Sequence, residues 1–229
     1  LPPVFDGLDM KPVRIKQKII NKLSKIKVNN ISYAYLSKKI ISNLSLTIEI
    51  NKPLIIRGWS GSGKTTLANL ISGLYIPKDG NISYIDTLGN EYDSKAYNAS
   101  VAFVTQDIYL FEASIKENLT SGIEYSDDQI WASLVKVDAD QFVKSIGGLD
   151  AQCAEAGRSI SGGQRRRLAI AKALLTGSKI LILDEITAGL DGINKKSVLN
   201  LINELSKDYI IMMISHEEIL LSNQEVFDI

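Results

Sequence analysis

Cysteine is almost missing from this 229-residue sequence: Cys153 stands alone, so no disulfide can form within the chain. That usage suits a reducing compartment such as the cytosol, and no redox role is assigned to the thiol. Histidine is as scarce, with His216 the single example; a lone histidine is most often an ordinary residue unless its surroundings say otherwise. An excess of one charge is missing too. The 26 basic and 26 acidic side chains cancel to a formal net charge of zero, so bulk electrostatics gives no reason to expect a nucleic-acid partner. The longest apolar run, Tyr209 to Ile214, falls far short of the ~20 residues that cross a bilayer. No signal peptide opens the sequence, and no internal repeat or low-complexity tract interrupts it. The length suits one core with an appended subdomain.

What is present is concentrated in short motifs. Residues 58 to 66 read Gly-Trp-Ser-Gly-Ser-Gly-Lys-Thr-Thr, the G-x-x-x-x-G-K-[ST] pattern of a phosphate-binding P-loop. The apolar stretch Pro53 to Arg57 before it reads as a buried strand. Leu67 to Ser72 after it is apolar at helical spacing and stops at Gly73. Gly58, Gly61 and Gly63 let the backbone turn tightly with no Cβ against a phosphate chain. Amide groups along Ser60, Ser62 and the helix start at Lys64, Thr65 and Thr66 then face the anion. Lys64 supplies a positive charge for the β- and γ-phosphates, and Thr65 a hydroxyl for Mg²⁺. The plain alternative, a glycine-rich turn before a helix, explains neither the lysine nor the strand–loop–helix context.

A P-loop requires a carboxylate at the tip of another buried strand. Ile180 to Leu183 are consecutive aliphatics followed by Asp184 and Glu185, as expected of a parallel strand covered on both faces. Asp184 is placed to orient a metal shell, and Glu185 to polarise a water in line with the γ-phosphate. Further along, Ser161-Gly162-Gly163-Gln164 precedes a helical stretch that ends before Gly177. Ser161 is a good N-cap, and glycines beside a helix N-terminus form a second anion site. A second γ-phosphate site has no use for one nucleotide in one chain unless it serves a neighbour's nucleotide. The run Arg165-Arg166-Arg167 is read equally well as a solvated helix face.

With these motifs in this order, the chain resembles the nucleotide-binding domain of an ATP-binding cassette (ABC) transporter over residues ~27 to 229. The resemblance implies an α/β fold: a RecA-like P-loop NTPase core, an antiparallel β subdomain, and a helical subdomain at about 107–176 inserted in the core. In that frame Gly58 to Thr66 is similar to the Walker A motif, Ile180 to Glu185 to Walker B, and Ile160 to Gln164 to the family signature, with Ile in place of the usual Leu. Gln106 sits where the family's Q-loop glutamine contacts Mg²⁺ and the attacking water. Ala188 to Asp191 resembles the D-loop, and His216 follows Ile214-Ser215 as the family's switch histidine does. Tyr35 matches the aromatic that stacks on adenine; Tyr33 is the rival, and strand alternation puts both on one face. Implied ligands are ATP and Mg²⁺. The metal set is Thr65, Gln106 and Asp184; the catalytic set is Glu185, His216, Gln106 and Lys64. The nucleotide is completed by Ser161, Gly162, Gly163, Gln164 and Asp191.

The segment Leu110 to Leu119 resembles exporters in which membrane and ATPase domains share one polypeptide, and Val4 to Pro12 resembles the tail leaving a last membrane helix. Residues 1–26 then read as a linker, and the expected partners are a second ATPase domain and a membrane-spanning domain of the same polypeptide, at the cytoplasmic face of the cell membrane. The Lys/Ile/Asn-rich wording resembles bacterial peptide exporters, including antibacterial-peptide ones. Two features depart from the family. Gln152 stands where exporters often have an acid ahead of the signature, and the sequence stops at Ile229, where relatives usually continue through another hairpin and helix. The rival class, a soluble ABC ATPase acting on nucleic acid or ribosomes, shares every ATP motif but not the 110–119 segment. A non-hydrolysing regulatory cassette is disfavoured by Glu185 and His216.

Overall fold

Alternation along the central strands sorts their side chains into two separate cores. The computed structural model describes residues 23–93, 101–153 and 160–229. Its five-stranded parallel sheet has the order β6 (Val101–Val104), β7 (Ile180–Asp184), β8 (Ile210–Ile214), β3 (Leu54–Arg57), β9 (Glu225–Asp228). Leu181, Leu183, Ile211 and Met213 face a core shared with the helices, whereas Ile180, Ile182, Ile210 and Met212 face a core shared with the second sheet. All eight are essentially buried, which is why these strands read as unbroken aliphatic runs. Each such side chain contributes about 1.5–3 kcal/mol when removed from water.

The second sheet is antiparallel, in the order β2 (Lys38–Glu49), β1 (Leu23–Tyr35), β4 (Asp79–Asp86), β5 (Glu91–Asp93). It is tied to the P-loop helix α1 (Lys64–Ile71) by the buried Tyr84 hydroxyl, which donates to the Ile71 carbonyl at 2.7 Å. Strand β1 starts at Leu23, paired with Asp86, rather than at residue 27. The lysines between Leu23 and Val28 sit on the open side of the sheet while Leu23, Ile26 and Val28 fill its core. Residues 1–22 of the expected linker lie outside the described residues.

Helices α2 (Ile115–Thr120), α3 (Asp127–Lys136), α4 (Asp140–Ser145) and α5 (Gly162–Leu175) form the helical segment expected between the core strands. Ser126 and Gln129 make a reciprocal capping box on α3, and Ser114 and Glu117 make another on α2. Ile130, Leu134 and Val137 are fully buried, but Val135 points out and is 56% exposed: the apolar stripe follows i, i+4, i+7, and Val135 lies off it. Helix α6 (Gly192–Leu205) packs against α5 between β7 and β8.

Candidate functional site

Four strands of the parallel sheet deliver their C-terminal ends to one place, the position at which open α/β sheets bind ligands. The P-loop follows β3, Gln106 follows β6, Asp184 and Glu185 end β7, and His216 follows β8. Together they enclose a cavity of about 300 Å³ lined by Ser60, Gly61, Gly63, Lys64, Thr65, Thr66, Gln106, Asp184, Glu185 and His216, with Ile40 and Ile214 as apolar walls. A larger cavity of about 390 Å³ lies between β6, α2 and α5. It lacks this convergence of acids, hydroxyls and a buried cation, so the chemistry singles out the smaller one.

The loop owes its shape to its glycines. Gly63 caps α1 with φ of 111°, and a Cβ there would come within 3.1 Å of the Ile40 side chain. A substituent on Gly58 would meet the Ile229 carbonyl at 2.4 Å and the Ser62 hydroxyl at 2.6 Å. Lys64 is only 7% exposed, and its Nζ donates to the Gly58 and Trp59 carbonyls at 2.8 and 2.7 Å. Ser62 Oγ is a buried polar atom without a hydrogen-bond partner among the described residues. Unsatisfied buried groups are rare in folded proteins, and this one sits within a loop whose amides and lysine fit an anion. The residue types also suit a hard cation. Thr65 offers an exposed hydroxyl, Asp184 a half-buried carboxylate and Gln106 an exposed amide, an all-oxygen set that leaves room for phosphate and water.

The acids are tuned by burial. Desolvation holds Asp184 above the ordinary carboxylate pKa, against the opposing pull of Lys64 and His216. Glu185 is raised for the same reason, with His216 as the main offset. Glu185 adopts φ of 49°, uncommon for a residue with a side chain. Its amide donates to the Ile214 carbonyl at 2.9 Å. Its Oε1 accepts the His216 amide at 3.0 Å and lies 3.4 Å from His216 Nε2. Strands β7 and β8 thus hold the acid and the histidine side by side.

The other expected residues lie elsewhere. Ser161 Oγ accepts the Gln164 amide at 3.2 Å while Gln164 Oε1 accepts the Ser161 amide at 2.9 Å, a capping box at the start of α5. Asp191 caps α6, accepting from the Ile193 and Asn194 amides at 3.0 and 2.9 Å. The Asn194 bonds first of all hold its pKa below the ordinary value. Neither group lines the cavity, and nor does Tyr35. Tyr35 is 45% exposed in an aromatic cluster: its ring meets Tyr33 edge-on at 5.3 Å, Tyr33 stacks on Tyr75, and the Tyr35 and Tyr75 hydroxyls are 2.5 Å apart. Tyr75 carries no sequence signal of this role, because a single tyrosine past a helix end has no period. The arginine run is likewise no solvated face. Arg165 donates to the Ile160 carbonyl, Arg166 to those of Ile186 and Ala188, and Arg167 to Val137, Asp138 and Ser197.

Comparison with known proteins bears on the family and the fold. The sequence profile of the ABC transporter family matches residues 41–188. The chain is 34% identical over 205 residues to the ATP-dependent lipid A-core flippase of Haemophilus influenzae, covering 87% of this chain and 35% of that protein. It is 33% identical over 229 residues to the flippase of the same name from Photorhabdus laumondii, covering 97% of this chain and 39% of that protein. A solved bacterial Atm1-family ABC exporter with ATP bound superimposes with a TM-score of 0.70 at 25% identity, over 90% of this chain and 36% of that one. The chain therefore spans little more than a third of the length of these relatives. They are named for lipid A-core and exporter function, and none of these names mentions a peptide. On the profile match over residues 41–188 and the 33–34% identity to these relatives, the chain belongs to the ABC transporter family.

Proposed function

We propose that this chain is the ATP-hydrolysing part of an exporter, and that two copies close head to tail around two MgATP. The observation that carries the reading is the meeting of Lys64, Thr65, Gln106, Asp184, Glu185 and His216 in one cavity at the sheet edge. Lys64 and the P-loop amides hold the phosphate chain, with the orphaned Ser62 hydroxyl beside them. Thr65, Asp184 and Gln106 would hold Mg²⁺, whose role is to neutralise charge on the β- and γ-phosphates. Glu185 takes a proton from the attacking water, its burial making it a better base than an ordinary carboxylate. His216 and Lys64 stabilise charge on the transferring phosphoryl group. Tyr35 stacks on adenine. The signature of one copy, Ser161 to Gln164, closes on the γ-phosphate held by the other, and Asp191 lies at the same interface. Loss of that phosphate on hydrolysis opens the dimer, because ATP favours the closed state only while it contacts both copies.

Membrane attachment is part of the same proposal. Among the described residues no helix is long and apolar enough to cross a membrane; in the proposed exporter a separate membrane-spanning part carries the transport path. Tyr109 and Phe111 are 64% and 58% exposed beside the larger cavity, an apolar surface suited to such a part on the cytoplasmic side. The direct test is nucleotide titration with Mg²⁺ and a phosphate-release assay. The native chain is expected to bind and hydrolyse ATP, and Lys64→Ala to lose tight binding because the phosphates lose a nearly buried cation. Unchanged affinity in Lys64→Ala would sink the proposal.

A further inference from the structure

Helix α5 is capped by Ser161, and Arg166, the fifth residue of the helix, reaches across to the turn that carries Glu185. Arg166 Nε donates to the Ile186 carbonyl and Arg166 Nη2 to the Ala188 carbonyl, both at 3.0 Å. Those carbonyls belong to residues 186–188, directly after Glu185. The fork geometry of a guanidinium suits two acceptors at fixed separation, and it is rigid where a lysine is not. The turn needs such a hold. Glu185 sits at positive φ, a conformation that persists only where neighbours determine it. The Ala188 amide closes the turn on the Glu185 carbonyl at 3.0 Å.

Two further contacts bind the same pieces together. A Cβ on Gly162 would lie 3.0 Å from Leu190, and one on Gly163 would lie 2.6 Å from Asn194 Oδ1. The start of α5 is therefore seated directly on residues 190–194, with no room for a side chain between them, while Arg166 grips 186–188. Packed contacts of this kind transmit small displacements instead of absorbing them.

We infer that Arg166 is a positioning residue for Glu185, coupling the start of α5 to the acid's turn within one chain. This rests on the proposed function, in which α5 serves the partner's ATP while Glu185 serves the chain's own. A shift of α5 as it engages the partner's γ-phosphate then adjusts the base at the other site, so each site senses whether its neighbour is filled.

The experiment compares wild type with Arg166→Ala, Arg166→Lys and Arg166→Gln in steady-state ATP hydrolysis, MgATP binding and thermal melting. It also measures MgATP-driven dimerisation of each variant combined with Glu185→Gln. Expected are a kcat in Arg166→Ala lower by roughly ten- to a hundredfold, the scale of a misplaced catalytic group, with KM and dimerisation retained. Lysine and glutamine, each able to reach one carbonyl, should restore part of the rate. Wild-type kcat in Arg166→Ala would overturn the inference. So would parallel loss of binding, melting temperature and rate in all three variants, which would make Arg166 a structural prop. If Glu185→Gln alone hydrolyses ATP normally, the base assignment fails instead, and the two failures are distinct.

Discussion

The two ends of the ATP machinery are finished to different degrees within one chain. At the sheet edge, Ser62 Oγ is buried without a partner among the described residues, Lys64 donates to two loop carbonyls, and Asp184 and Glu185 are pushed toward protonation by burial. At the start of α5 the side chains are occupied. Ser161 and Gln164 satisfy each other, Asp191 caps α6, and the guanidinium groups of Arg165, Arg166 and Arg167 reach backbone carbonyls. The first end is built to accept charge from a ligand. The second is internally satisfied and stiff, and in the proposed dimer it would present a hydroxyl and helix-start amides to the other copy.

The largest effect expected at the first end is on chemistry. Glu185→Gln keeps the side chain's shape but cannot take a proton, so turnover should fall by about 10²–10⁴-fold with MgATP affinity retained. Equal rates for mutant and native protein in a phosphate-release assay would break the assignment of Glu185 as base. Next in size is the adenine contact. Tyr35→Ala should weaken ATP binding by about 1–3 kcal/mol if the ring stacks on the base, while inorganic triphosphate binding should not change. Tyr33→Ala should act mainly through stability. A calorimetric titration with the two results reversed would move the base to Tyr33.

The stiff end should respond in stability before it responds in binding. Removing the cap with Ser161→Ala should cost about 0.5–2 kcal/mol in denaturant unfolding, with the single copy's ATP affinity intact. Weakened binding by monomers would mean that the two ends are not separate. The smallest effect is in pH. Glu185 is a base only as the carboxylate, and burial raises its pKa, so activity is present at higher pH and lost as pH falls through that raised value. The acid limb of kcat should therefore lie above the ~4.3 of an ordinary glutamate. His216 opposes the rise, so His216→Ala should move the limb further up. A limb at the ordinary value would contradict the desolvation account.

The first end was the more legible in sequence. A phosphate loop needs glycines at positive φ and a lysine at fixed spacing, and a doubly covered strand needs an unbroken aliphatic run; both requirements are local. His216 and Gln106 were readable only through the family pattern, since nothing local marks them. The strand start at Leu23 was missed because lysines on the open face of β1 mask the buried alternation. Val135 is exposed although it stands beside the apolar stripe of α3, a neighbour that sequence alone does not separate from it. Tyr75, Ile40 and the destinations of the arginines depend on which elements pack together, and no short-range pattern encodes that. Asp191 was read for its place in the D-loop, whereas its bonds within this chain are those of a helix cap.

The central claim is that the site is completed by a second copy, and the most direct test is sedimentation of Glu185→Gln. With excess MgATP this variant should form a dimer that dissociates when ATP is withheld. Adding Ser161→Arg, which sets a bulky cation where the other copy's γ-phosphate must approach, should return it to monomer while ATP still binds. A species that stays monomeric with ATP bound, or a dimer indifferent to both ATP and Ser161→Arg, would contradict the shared site.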